Sequence, residues 1–202
     1  MKKLIYFIFF ITAISFLSGC SNDDGERTEK KIGSVNILEF RGYKGSANGA
    51  VEVDYNNLRK IDLVSEYFGS QAIRWFTNRS IEFYDNRVIY KYSEEETDTY
   101  PTYKIVSEYE FKNGALYVKK SDNTSLFVAY GDSPDNLFLK KSFGLYTDPE
   151  TREQVAISSD LPLNLDILLT LAHHVSNDMP DPSKMTDPEE TIIWCNIDYL
   201  FE

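Results

Sequence analysis

Apolar and polar residues alternate most regularly in the middle of the chain. Ile81, Phe83, Val88 and Tyr90 fall on one side of a hairpin whose Asp85-Asn86 turn pairs Tyr84 with Arg87, while Glu82, Tyr84, Arg87 and Lys91 fall on the other. Tyr103, Ile105, Tyr109 and Phe111 then alternate with Lys104, Glu108 and Glu110, which predicts a strand running into Asn113-Gly114. Asn-Gly suits a two-residue hairpin turn because both residues tolerate positive φ, and closing it pairs Phe111 with Leu116 and Tyr109 with Val118. Turns at residues 121–124 and 132–136 separate two more strands, residues 126–130 and 137–146. Residues 81–146 therefore predict an antiparallel up-and-down meander with one apolar face. Such a sheet buries that face by curling into a barrel or by packing on a second sheet.

The flanks are patterned differently. Short aromatic and β-branched runs at residues 35–40, 50–55, 61–64 and 72–76 predict four earlier strands. Leu165, Leu168, Leu169, Ala172 and Val175 recur at helical spacing behind Pro162, which predicts one helix over residues 163–175. A Pro- and Asp-rich loop over residues 176–190 leads to a last strand, Thr191–Phe201. The expected fold class is mainly β, with one C-terminal helix before the final strand.

At the N-terminus, Lys2 and Lys3 precede an apolar run of about 14 residues, shorter than the ~20 a bilayer-spanning helix needs. The run ends at Leu17-Ser18-Gly19-Cys20, which resembles the bacterial lipobox at all four positions. That resemblance implies a lipoprotein signal peptide over residues 1–19, diacylglyceryl attachment to the Cys20 thiol, and acylation (palmitate) of the new N-terminal amine. More than one acyl chain makes a stable anchor, at ~0.8 kcal/mol per buried methylene. The next residues, Ser21-Asn22-Asp23-Asp24-Gly25-Glu26, are similar to the acidic export tag of Bacteroidota-type lipoproteins, which implies the outer membrane with the protein facing outward. A solvated acidic linker is the alternative reading of the same residues. Residues 20–33 then form a lipidated tether and residues 34–202 a single β-rich domain.

Charge and cysteine content narrow the partners. The chain holds 21 basic and 32 acidic residues, a formal net charge of −11. Loss of Lys2 and Lys3 with the signal leaves the mature chain more negative still. This disfavours nucleic acid, which needs a basic stripe, and docking on anionic headgroups, leaving the N-terminal lipid as the membrane contact. Of the two cysteines, Cys20 is used by the anchor, so Cys195 has no intrachain partner and reads as a small core residue.

A strand meander followed by a helix and a final strand is the lipocalin order. The strings Ser80-Ile81-Glu82-Phe83-Tyr84-Asp85-Asn86 and Tyr109-Glu110-Phe111-Lys112-Asn113-Gly114-Ala115-Leu116-Tyr117-Val118 resemble those of lipocalin-like lipoproteins of Bacteroidota. The resemblance covers about residues 70–202 and implies a barrel whose mouth binds a ligand. The chain departs from it at the Gly-x-Trp signature, since Trp75 follows Ile73-Arg74.

Candidate chemistry is sparse, and no catalytic residue, metal site or cofactor is expected. His173 and His174 are adjacent, so on a helix they point about 100° apart and do not share a metal. Glu108 and Glu110 are spaced roughly 6.7 Å along one strand face, within the ~6.5–9.5 Å window of an inverting glycosidase pair, but Lys104 and Lys112 share that face. Asp178, Asp181, Asp187, Glu189 and Glu190 in the late loop offer oxygen ligands of the kind calcium takes, without EF-hand spacing. The remaining feature is aromatic. Tyr84, Tyr92, Tyr100, Tyr117 and Tyr130 form a candidate binding face, because tyrosine is amphipathic and stacks on sugars and other flat ligands. A non-enzymatic module binding a glycan or small apolar ligand is the leading expectation. A carboxylate-using surface hydrolase and a structural accessory of an envelope complex are its rivals.

Overall fold

Two turns set the registers of the central hairpins. Tyr84 donates its N–H to the Arg87 carbonyl at 2.9 Å, and Phe83 pairs with Val88 beyond it. Asn113 and Gly114 adopt φ of 52° and 72°, and Phe111 pairs with Leu116 and Tyr109 with Val118, as expected. The protein is seen as a computed structural model that describes residues 27–93, 102–164 and 182–202.

Among the described residues the chain is mainly β. Its strands are β1 (Thr28–Lys44), β2 (Val51–Glu52), β3 (Ser80–Phe83), β4 (Val88–Tyr92), β5 (Tyr103–Ser107), β6 (Tyr109–Lys112), β7 (Ala115–Lys119), β8 (Ser125–Tyr130), β9 (Phe138–Thr147), β10 (Gln154–Ser159) and β11 (Thr191–Phe201). They form one antiparallel sheet in the order β5-β4-β3-β1-β11-β9-β8-β7-β6, with β10 beside β9 and β2 beside β1. The sheet is not closed by hydrogen bonds, and β5 and β6 are its end strands. A single strand had been expected over Tyr103 to Phe111. It is broken at Glu108, and its halves pair with β4 and β7 instead of with one neighbour. Glu108 accepts the Lys119 N–H at 3.1 Å, and the Ser107 hydroxyl donates to the Lys119 carbonyl, so the chain passes from one end of the sheet to the other at this residue. The Phe83 ring on β3 meets Tyr109 and Phe111 on β6 at 5.4 and 6.4 Å. Strands far apart along the sheet thus pack face to face, which requires strong curling.

β1 begins at Thr28, inside the stretch expected as tether. Thr28–Lys31 pairs with β3 and the rest of β1 with β11. Its first residues lack apolar alternation because ladder bonds and ion pairs hold them: Arg27 reaches Glu82 at 3.1 Å and Lys30 reaches Asp135 at 3.2 Å. Farther on, register shifts at Ile32/Ser34 and Ile37/Glu39 insert one residue each. Ile32, Val35, Ile37 and Phe40, though unevenly spaced, therefore all join the main core.

Two of the early expectations are corrected. Residues 61–64 belong to a helix, α1 (Lys60–Phe68), and residues 72–76 to a second, α2 (Gln71–Arg74), with the turn that follows it. Leu63, Val64, Tyr67 and Phe68 recur at i, i+3 and i+4, so the wider window carries a helical stripe that four residues alone do not reveal. Gly69, at φ 78°, ends α1. The helix expected over residues 163–175 lies outside the described residues beyond Asn164, and Leu163 and Asn164 are not helical. β10 adds a strand not anticipated.

Among the described residues, the inner side of the sheet carries the main apolar cluster. Phe40, Phe83, Val88, Leu116, Val128, Phe143, Ile197 and Tyr199 meet Leu63, Val64, Ala72 and Phe76 from the helices in one apolar cluster. Phe76 packs edge-on against Tyr199 at 5.0 Å, whose hydroxyl donates to the Ala72 carbonyl. A second cluster, Tyr146, Leu163, Met185, Ile192 and Trp194, covers the opposite face of β9 and β11.

Candidate functional site

A group of four rings lies on the outer face across β7, β8 and β9. Three turns position it. Asn113-Gly114 aims β7; the Asp122 carboxylate holds the next turn by accepting the Thr124 N–H at 2.9 Å; Ser133 and Asn136 close a capping box before β9. Hydrogen bonds from Thr124 hold the Asp122 carboxyl below its ordinary range.

A register shift builds the site. Leu116 pairs with Ala129 but Tyr117 pairs with Phe127, so Val128 is an extra residue on β8. Val128 and Ala129 both turn inward, 1% and 0% exposed. Simple alternation would separate Phe127 from Tyr130; the bulge returns both to the outer face. The rings then run Tyr117, Phe127, Tyr130, Phe138, with successive centres 6.0, 4.9 and 5.6 Å apart. Tyr130 and Phe138 are inclined by only 28°. The Lys140 ammonium lies over both, 5.0 Å from the Tyr130 centre and 5.3 Å from that of Phe138. Phe127 is the most exposed of the four rings, at 38%.

Of the five tyrosines expected to form a face, Tyr117 and Tyr130 come together here. Tyr84 lies apart, beside the β3–β4 turn under the Arg87 guanidinium at 5.3 Å, with its hydroxyl toward Glu82. Tyr92 stacks between Tyr90 and Tyr103 at 5.0 and 5.3 Å and packs against the main core. Tyr100 lies outside the described residues. Phe127, Phe138 and Lys140 were not singled out in advance. The alternation Leu137-Phe138-Leu139 does mark Phe138 as facing away from two core leucines; nothing comparable marks Phe127, whose placement depends on the bulge.

Other candidates are placed as follows. Glu108 and Glu110 are exposed and, with Lys119, line a shallow pocket of about 290 Å³, where Lys119 lies 3.8 Å from Glu108. In the late loop, Asp187 accepts the Glu189 N–H at 2.8 Å, Glu189 pairs with Arg152 at 3.3 Å, and Glu190 accepts the Tyr146 hydroxyl at 3.2 Å. Burial pushes the Glu190 carboxyl up. Asp178, Asp181, His173, His174 and Cys20 lie outside the described residues. Among the described residues, no three of His, Cys, Asp and Glu are grouped to hold a metal ion, and no helix is long and apolar enough to cross a membrane. Cys195 is fully buried, which pushes its thiol up to about 12.

An open groove of about 600 Å³ lies between β1 and the start of α1, lined by Leu38, Arg41, Glu52, Asp54, Tyr55 and Lys60 among others. Its charges are engaged locally: Arg41 pairs with Glu39 at 2.8 Å, and Lys60 donates to the Ile37 and Leu38 carbonyls at 3.3 and 3.0 Å. The groove therefore offers fewer unengaged polar groups than its lining implies.

Compared with protein-family descriptions, curated proteins and solved structures, the chain matches none.

Proposed function

We propose that this chain is a membrane-anchored, outward-facing lipoprotein whose β domain binds glycans without transforming them, using the ring platform of Tyr117, Phe127, Tyr130 and Phe138. The observation that carries the reading is the ring group itself: four rings from three adjacent strands meet on one side of the sheet, Phe127 exposed and Tyr117, Tyr130 and Phe138 half-buried. Sugar rings present flat C–H faces that stack on such surfaces, and centres 4.9–6.0 Å apart are spaced on the scale of one hexose. The apolar cluster on the inner side, among the described residues, favours an external site over a lipocalin-style mouth.

The anchor rests on Leu17-Ser18-Gly19-Cys20 and the acids behind it. In this reading the sheet curls into a lipocalin-like barrel that β1 and the β5–β6 bend carry around its two corners. The N-terminal lipid then tethers the end of the domain where β1 starts.

The test is a panel of oligosaccharides titrated into the mature chain in detergent, followed by tyrosine fluorescence and calorimetry. A bound glycan should lose roughly tenfold or more in affinity with Tyr130→Ala and with Phe138→Ala, since stacking on one ring contributes about 1–3 kcal/mol. Circular dichroism should be unchanged, because both rings are on the outer face of the sheet. Binding indifferent to both substitutions would sink the platform. Mass spectrometry of the N-terminus, with Cys20→Ser as control, tests the anchor separately.

A further inference from the structure

We infer that the platform prefers glycans bearing a carboxylate, uronic acids being the fitting class, with Lys140 as the specificity-determining residue; this rests on the platform reading above. Lys140 is placed where a ligand cannot avoid it. Its ammonium lies over Tyr130 and Phe138, the two most nearly parallel rings, so a sugar stacked there either touches Nζ or displaces it. Among the described residues no carboxylate comes within 4.0 Å of that ammonium. The nearest acid by register is Asp198, its partner in the β9–β11 ladder; its carboxylate feels the Lys140 charge from beyond 4.0 Å, and one of its oxygens is buried without a hydrogen bond among the described residues.

Several other lysines on this domain have an acidic partner: Lys30 with Asp135, Lys91 with Glu82, Lys119 with Glu108, Lys141 with Asp160. Lys140 has two ring faces and the more distant Asp198 instead, and ring faces attract a cation without using its hydrogen-bond donors. A uronic acid offers what this arrangement leaves open: an apolar ring face for Tyr130 and Phe138, and a carboxylate to take a charge-assisted hydrogen bond from Nζ. A neutral sugar has no carboxylate to offer it.

The test compares an oligogalacturonate with the same oligomer after its carboxyls are reduced to alcohols, each titrated into the mature chain and into Lys140→Gln. The expected result is that the wild-type protein binds the acidic oligomer roughly tenfold tighter. Lys140→Gln should lose the preference and bind the two oligomers with similar affinity. The preference should also shrink as salt rises. Equal binding of both oligomers by the wild type, or a preference that survives in Lys140→Gln, overturns the role of Lys140 and leaves the platform standing. Failure of either oligomer to bind, with Tyr130→Ala no different, removes the platform reading and this inference with it.

Discussion

Replacing Asn196 with Leu should unlatch Leu163 from the sheet. The Asn196 side chain, 6% exposed, uses its whole amide. Its oxygen accepts the Ser142 hydroxyl at 2.7 Å and the Leu163 N–H at 2.9 Å; its nitrogen donates to Glu39 at 2.9 Å and to the Leu163 carbonyl at 3.0 Å. Leucine keeps the approximate volume and removes all four bonds. The Leu163 N–H retains the Ser142 hydroxyl at 3.1 Å, and Glu39 retains Arg41 at 2.8 Å. The Leu163 carbonyl loses this partner, at about 1–3 kcal/mol, and the other three bonds go at about 1 kcal/mol each. The sum is about 4–6 kcal/mol. In urea, with a slope of about 2 kcal/mol/M, the midpoint should fall by about 2–3 M. Ser142→Ala alone should cost about 1 kcal/mol, and the double variant should show coupling of at least ~0.5 kcal/mol, because the two side chains share one network. A midpoint shift under about 0.2 M for Asn196→Leu would refute the claim that this amide latches Leu163 to the sheet.

Glu82 supplies a pH-dependent counterpart. Hydrogen bonding to Lys91 at 2.6 Å, with Arg27 nearby, holds its carboxyl below the ordinary range. Its contribution is therefore present above the ordinary carboxylate pKa of about 4.3 and is lost as pH falls through and below that value. Thermal midpoints should drop more steeply between about pH 5 and pH 3 in the wild type than in Glu82→Gln, and parallel slopes would count against the pairing. The Cys195 thiol, buried and pushed up to about 12, should resist a thiol reagent in the folded mature chain and react once the chain is unfolded. Rapid labelling of the native protein would mean that this part of the core opens easily.

The physical devices in the sequence were unequally visible. Hairpins read well because alternation and turn residues act locally: Tyr84 with Arg87 and Phe111 with Leu116 follow from neighbours in the chain. α1 was misread because a four-residue apolar run fits either period, and only Tyr67 and Phe68 decide for a helix. β1 was hard to parse because two inserted residues break its alternation, and its first residues are held by partners distant in sequence. The bulge at Val128 hid half of the platform, since Phe127 and Tyr130 share a face only once an extra residue is counted. Bulges, long-range pairing and ion pairs depend on the folded neighbour and leave little trace in one strand's pattern.

The pairing of β1 with β11 also dictates an order of assembly. Their residues meet across long stretches of chain, as when Asn196 bonds Glu39 from 157 positions away. During synthesis β1 emerges early and can pair with β2 at Tyr43–Lys44 and with β3 at Thr28–Lys31; its other edge waits for β11. Contacts so remote slow folding, since loop closure must precede any gain from the ladder. β11 also lies between β1 and β9, so its arrival joins the two arms of the sheet in one event. A chain stopped short of Ile192 would therefore be left not with a smaller domain but with two unjoined sheets, each exposing an apolar face.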